Sequence, residues 1–370
     1  MKRTFHETVL FDLLKISLWN QGAIINYANL AEEDWKAIYQ LAAEQGVQSL
    51  VFDSIIQLPE KWRPEDTLLL MWAANTKLQE QRFMRNVMAT NQLNEIFKAQ
   101  ELEILLLKGV GLAIFYPNLL YREFGDIDIY TNDHKKADNI LLQYGEQTRE
   151  HPKHNVFKFK GIPVENHRNF ITLIKGTDLF SRKRRKAFET VEKELHDILK
   201  DEGSFLFRTY DNLRVPSATF NFLFLLMHTG THLGGELVMR HLCDWACFLS
   251  TNQGRYNEKR IETTLGLLNF RKICFLMTDT AIRYLGMPPE FAPSFYRKES
   301  RARLNERFMN SLFHRFPGSK EVRKNTLWCK WRRFYSKQWK YDLLYCEYLP
   351  ERLVRTLILW YQGYKGRMFK

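Results

Sequence analysis

The spacing of apolar residues changes twice along the chain, and those two changes restrict the fold more than any other feature. From about residue 4 to 101, apolar side chains recur three and four positions apart with sparse breakers, which predicts helices. The longest predicted helix covers 64–99, with Pro64-Glu65-Asp66 as its start signal and Leu68, Met71, Trp72 and Leu78 as its apolar face. The period then shortens. Glu103-Ile104-Leu105-Leu106-Leu107 reads as a buried strand, Lys108-Gly109-Val110-Gly111 as a turn, and 112–116 as a helical stretch. Residues 124–130 alternate with period two, a polar helix follows near 134–142, and 155–160 and 162–167 read as two more strands. Beyond about Arg182 the helical spacing returns and persists, with breaks near 213–216, 286–289, 317–318 and Pro350.

This pattern predicts an α+β protein, a small mixed-sheet core between helical regions. The expected division is a helical N-terminal region at 1–101, an α/β core at 102–180 and a helical C-terminal region at 181–370. A chain of 370 residues exceeds one typical domain, so a catalytic module with further modules is the default. A hydrophobic fraction of 45% with 14% aromatics excludes a disordered chain.

The N-terminal segment carries His6, Glu7, Asp12 and Lys15 among its apolar positions, which predicts an amphipathic helix rather than a signal peptide. The most apolar stretch, residues 220–228, is far short of the roughly 20 residues a membrane helix needs. A cytoplasmic protein is expected. Five scattered cysteines without a CxxC pair argue against a disulfide framework or zinc ribbon, and Cys243 and Cys247 are expected to pack on a helix face.

A formal net charge of +13 points to a polyanionic partner or substrate. Basic residues concentrate at Arg182, Lys183, Arg184, Arg185 and Lys186, and again at Lys320, Arg323, Lys324, Lys330, Arg332, Arg333, Lys337 and Lys340. Trp328, Trp331, Phe334, Tyr335 and Trp339 interleave with the second run. That mixture suits stacking on bases with phosphate contact, but an amphipathic helix with its aromatics in the core and its Lys and Arg in solvent is the simpler explanation.

Asp126 and Asp128 sit one residue apart on a predicted strand, so both point to one face. Two ionised carboxylates so close oppose each other's ionisation, and a divalent cation removes the conflict. Oxygen-only ligands favour Mg²⁺ or Mn²⁺. Upstream, Lys108-Gly109 lies where a strand yields to a helix, a place where main-chain N–H groups and a lysine cradle a triphosphate. Downstream, the 162–167 strand brings a third carboxylate, Glu165.

The order Lys108-Gly109, Tyr116-Pro117, Arg122, Gly125-Asp126-Ile127-Asp128 and Glu165-Asn166-His167 resembles the bacterial family of uncharacterised nucleotidyltransferases, within the superfamily of polymerase β fold. The resemblance continues more weakly through Pro216, His228 with His232, and Arg240 with Asp244. Where many superfamily members carry a serine after the turn glycine, this chain has Val110, which leaves phosphate contact to Lys108 and backbone amides.

The resemblance implies transfer of a nucleoside monophosphate from an NTP, with ATP expected, to an acceptor hydroxyl of a small molecule, a protein or an RNA. Asp126, Asp128 and Glu165 would hold two Mg²⁺ (or Mn²⁺) ions, and Lys108, Gly109, Arg122 and His167 would serve the nucleotide. Arg122 fits a phosphate contact or a pair with a core acid; His167 fits a substrate or metal contact or a hydrogen-bonded core histidine. His228 and His232, four apart on a helix, could share a metal, line the cleft or bond within the core. Arg240 and Asp244 fit an i,i+4 ion pair. Two other readings compete: a non-catalytic nucleotide- or RNA-binding protein on the same scaffold, and a helical scaffold whose three carboxylates do not converge.

Overall fold

A computed structural model describes residues 4–171, 179–207, 213–233, 237–268, 270–297 and 302–313, with parts of 331–357. The chain opens with helix α1 (Phe5–Trp19), started by a capping box. Thr4 Oγ1 accepts from Glu7 N, and the Glu7 carboxylate accepts from Thr4 N. The polar residues that interrupt this helix have work to do: Asp12 is buried and accepts from the Ile24 and Ile25 amides and the Tyr27 hydroxyl. Helices α2 (Glu32–Glu44) and α3 (Gln48–Gln57) pack against it.

Helix α4 (Asp66–Lys98) is the long helix that the sequence predicts. It has no Gly or Pro within it, an acid in its first turn and a lysine in its last, and at ~1.5 Å per residue it spans about 50 Å. Its buried face differs from the expected one. Leu68 and Trp72 are buried as predicted, but Met71 and Leu78 are exposed. The buried stripe runs through Leu68, Trp72, Thr76, Gln79, Phe83, Val87, Leu93 and Phe97, and an apolar-only reading skips its polar members.

The sheet has seven strands: β1 (Leu105–Leu106), β2 (Ile127–Tyr130), β3 (Glu146–Glu150), β4 (His154–Phe159), β5 (Ile162–His167), β6 (Ser204–Phe207) and β7 (Leu213–Pro216). Their order is β3-β4-β5-β2-β1-β7-β6. The β2–β5 and β1–β7 pairs are parallel and the others antiparallel. Between β1 and β2 lies the short helix α5 (Val110–Ala113), and between β2 and β3 lies α6 (His134–Tyr144). Strand β6 falls in the stretch read as helical, and β7 occupies the break in helical spacing read near 213–216. They are four residues each, follow the 24-residue helix α7 (Leu179–Glu202), and are too short to show a period of their own.

One face of the sheet packs on α4 and α6. Ile127, Ile129, Phe157 and Val164 meet Phe83, Val87 and Phe97 from α4 and Ala137, Ile140 and Leu141 from α6. Each fully buried Phe contributes about 1.5–3 kcal/mol of transfer free energy to this core. The period-two alternation of β2 thereby sends Asp126 and Asp128 to the opposite face.

Opposite them stand α7, α8 (Ala218–His232), α9 (Met239–Thr251), α10 (Glu258–Leu267) and α11 (Arg271–Leu285). These helices share one large core with α1–α3 and the first turns of α4, so the N-terminal and C-terminal helical regions are a single packing unit. Phe220, Phe222, Phe224, Trp245 and Phe248 dominate it, and Cys243 and Cys247 pack within it as expected. Helices α12 (Ala302–Phe313) and α13 (Gln338–Tyr345) follow.

Among the described residues no helix is long and apolar enough to cross a membrane. Of the basic runs, Arg182 and Lys186 are exposed on α7. Lys320, Arg323, Lys324, Lys330, Arg332, Arg333, Lys337 and Trp328 lie outside the described residues. Trp331 and Tyr335 are exposed, whereas Lys340 is buried, with its Nζ 5.6 Å from the Trp339 ring centre.

Candidate active site

The register of two parallel strands builds the acidic centre. Asp128 of β2 stands directly beside Glu165 of β5, and Asp126 precedes β2 on the same face. Oxygens of Asp126, Asp128 and Glu165 all lie within 4.8 Å of one another. The three carboxylates that the sequence singled out do converge, and a scaffold with an incidental α/β insert would not bring them together. His167, two residues beyond Glu165, and His154, its cross-strand partner on β4, share that face.

Hydrogen bonds fix the acids unequally. Asp128 Oδ1 receives Lys108 Nζ at 2.7 Å and lies 2.9 Å from His167 Nε2, while Asp128 Oδ2 is buried with no hydrogen-bond partner. Glu165 lies between two imidazoles, 3.4 Å from His167 Nε2 and 3.5 Å from His154 Nε2. Burial opposes the charge on Asp128, but Lys108 and His167 outweigh it and hold this carboxyl well below the usual range. Asp126 goes the other way: the Asp128 charge, and then burial, push it up to about 6. A pair split in this way is short of positive charge. With an unpartnered buried oxygen and oxygen-only donors, the three acids fit a hard divalent cation and could hold one.

The Lys108-Gly109 turn is set against the acids by backbone geometry. Leu107 N donates to Asp128 O at 3.1 Å, which brings Lys108 beside β2. Gly109, at φ +56° and ψ −119°, starts α5 in a conformation that L side chains rarely adopt. A Cβ there would also approach Asp126 O to 3.1 Å. Main chain and aspartate can lie this close only with glycine.

Arg122, for which phosphate and core acid were both open, takes the acid. Its Nε and Nη2 donate to the two oxygens of Asp244 at 2.7 and 2.9 Å, and its Nη1 donates to Gly109 O at 3.0 Å. Tyr116 donates its hydroxyl to Asp244 Oδ1 at 2.7 Å. This buried fork ties the glycine turn to α9 and takes up the carboxylate expected to pair with Arg240; Arg240 Nη1 instead donates to Glu123 O. His167, expected at the nucleotide, is fully buried beneath Asp128 and Glu165.

A cleft of about 670 Å³ opens over this face, between the sheet and helices α2, α8 and α9. Acids line one part of it; Lys108, Lys153, Arg149 and Arg240 supply cations, and His228, His232 and His241 line the helical wall. Sequence reasoning missed Lys153, His154 and His241. Lys153 and His154 leave the β3–β4 connection in a segment without a pattern, and only pairing of β4 with β5 brings them to the acids. Burial, then the Lys108 charge, lower the Lys153 ammonium to about 8. His241 had a usable signal, since it lies between Arg240 and Asp244, both already singled out.

Converging carboxylates beside a lysine-glycine turn, on one face of a mixed sheet, make a group that could hold a metal ion. The sequence model of a family described as uncharacterised nucleotidyltransferase matches residues 31–286, well over half of the chain, and the chain belongs to that family. The match runs from α2 through α11 and therefore takes in the cleft and both of its walls. No curated protein and no solved structure matches the chain significantly.

Proposed function

We propose that this protein transfers a nucleoside monophosphate from an NTP, ATP by expectation, to an acceptor hydroxyl, on a core of the polymerase β type. The observation that carries the reading is the convergence of Asp126, Asp128 and Glu165 beside Lys108-Gly109 in one cleft. Mg²⁺ or Mn²⁺ held by these three acids would supply activation of the attacking hydroxyl and charge neutralisation on the leaving pyrophosphate.

The chain's own groups do the rest. Lys108 stands at the acids with its ammonium shared with Asp128, ready to meet a phosphate oxygen. The Gly109 turn lets backbone approach the phosphates with no side chain in the way. Lys153, Arg149 and Arg240 add cations along the cleft in a number suited to a triphosphate. His154 and His167 hold the Glu165 carboxylate from two sides, and Glu165 is the candidate to take up the proton of the acceptor hydroxyl.

The test is pyrophosphate release from each NTP in the presence of a cell extract and Mn²⁺, with labelled nucleotide to reveal the acceptor. Asp126→Asn and Glu165→Gln are expected to cost at least about a hundredfold in rate, equivalent to roughly 2.7 kcal/mol of transition-state stabilisation. Unchanged release in both variants overturns catalysis and leaves a nucleotide-binding protein.

A further inference from the structure

The helical wall of the cleft carries a second group of metal-ligand type that the nucleotidyl-transfer reading does not use. His228 and His232 are one turn apart on α8, and His241 projects from the first turn of α9. A ring nitrogen from each lies within 4.8 Å of the other two. Ring centres are 4.4 Å apart for His228 and His232, 5.1 Å for His232 and His241, and 5.9 Å for His228 and His241. We propose that His228, His232 and His241 form a mononuclear site for a borderline transition metal, Zn²⁺ by preference, with an open coordination position facing the cleft.

Three observations support it beyond proximity. All three rings line the cleft rather than the interior of a helix bundle, so an ion has a path in. The start of α9 is anchored from outside the group, with Met239 N donating to Gln45 Oε1 and Arg240 N to Gln45 O, so His241 is positioned before any ion arrives. His241 Nδ1 accepts from Val238 N at 3.2 Å and lies 3.2 Å from Val238 O, so the backbone at the start of α9 fixes the position of the ring.

The donor set selects the metal. Three imidazoles without a carboxylate suit Zn²⁺ and its neighbours, not Mg²⁺, so this wall and the acidic wall sort different ions. Three protein ligands on Zn²⁺ leave a fourth position for water or substrate. Arg240 and Lys153 in the same cleft disfavour a bare cation and favour an anionic fourth ligand, so the open position suits a phosphate or hydroxide oxygen.

The test is metal content after growth with added Zn²⁺ and removal of loose ions, with Co²⁺ as a spectroscopic stand-in. One equivalent of Zn²⁺ is expected in the wild-type protein and in an Asp126→Asn, Asp128→Asn double variant, with the visible absorption of four-coordinate Co²⁺ in both. His232→Gln is expected to lower retention at least about tenfold. His232→Cys is expected to keep the ion and add a sulfur-to-cobalt band, a readout that depends neither on activity nor on loss of fold. Absence of metal and of the Co²⁺ spectrum in the wild type overturns the site. So does retention undisturbed by His232→Gln, or loss caused by His154→Gln, which places the ion on the His154, Glu165 and His167 group. The site does not depend on the nucleotidyl-transfer reading, and its failure leaves the pyrophosphate assay untouched.

Discussion

Lys153 is a buried ammonium whose neighbours do not fully compensate it. It is 7% exposed, sits 5.7 Å from the Phe224 ring centre, and feels the Lys108 charge from the same side of the cleft as the acids. With its pKa lowered to about 8, it is charged below that pH and increasingly neutral above it. A phosphate chain binds the charged form, so affinity for a non-hydrolysable NTP should be highest below pH 8 and fall as pH rises through about 8 to 9. Bound anion raises the lysine pKa, so the fall in the complex occurs at higher pH than in the free protein. Calorimetric titrations from pH 7.5 to 9.5 check this. Lys153→Met should bind more weakly throughout and lose this part of the pH dependence; the same slope in that variant would show that another group titrates.

A buried fork, Arg122 to Asp244, joins helix α9 to the acidic face of the sheet, and it also holds the Gly109 carbonyl. Removing one partner leaves the other charge buried, so Arg122→Ala should destabilise by about 3–5 kcal/mol in urea unfolding, whereas Arg122→Met with Asp244→Leu should cost much less. Both changes should weaken NTP binding, because both release the glycine turn. A double variant that keeps stability and affinity would show that the turn holds without the fork.

The same elements show what a sequence makes legible. Asp126, Asp128 and Glu165 were readable because strand alternation puts i and i+2 on one face, and the alternation at 124–130 and 162–167 is visible in the residues themselves. The role of Arg122 stayed open because its partner is 122 residues away and only the docking of α9 chooses it. Strands β6 and β7 were hidden for a related reason: their stability comes from the parallel pairing of β7 with β1, not from their own four residues.

The division expected from periodicity, at 1–101, 102–180 and 181–370, treats the chain as three pieces, yet the packing crosses both boundaries. Helix α4 begins in the helical core at Leu68 and Trp72 and ends in the sheet core at Phe83, Leu93 and Phe97. Helix α1 packs on α11, and the sheet's edge is completed by β6 and β7 from beyond residue 180. A chain of this size ordinarily unfolds in more than one step. Here a continuous helix whose two ends are buried in different cores couples them, since each core holds helical a segment from which the other half of α4 propagates. One cooperative urea transition is therefore expected, with tryptophan signals from the helical core and hydrogen exchange of β2 and β5 reporting the same midpoint. Phe97→Ala should cost about 3–5 kcal/mol and move both signals together, although Phe97 touches only the sheet core. A shift confined to the strand amides would instead establish two cores that unfold independently along α4.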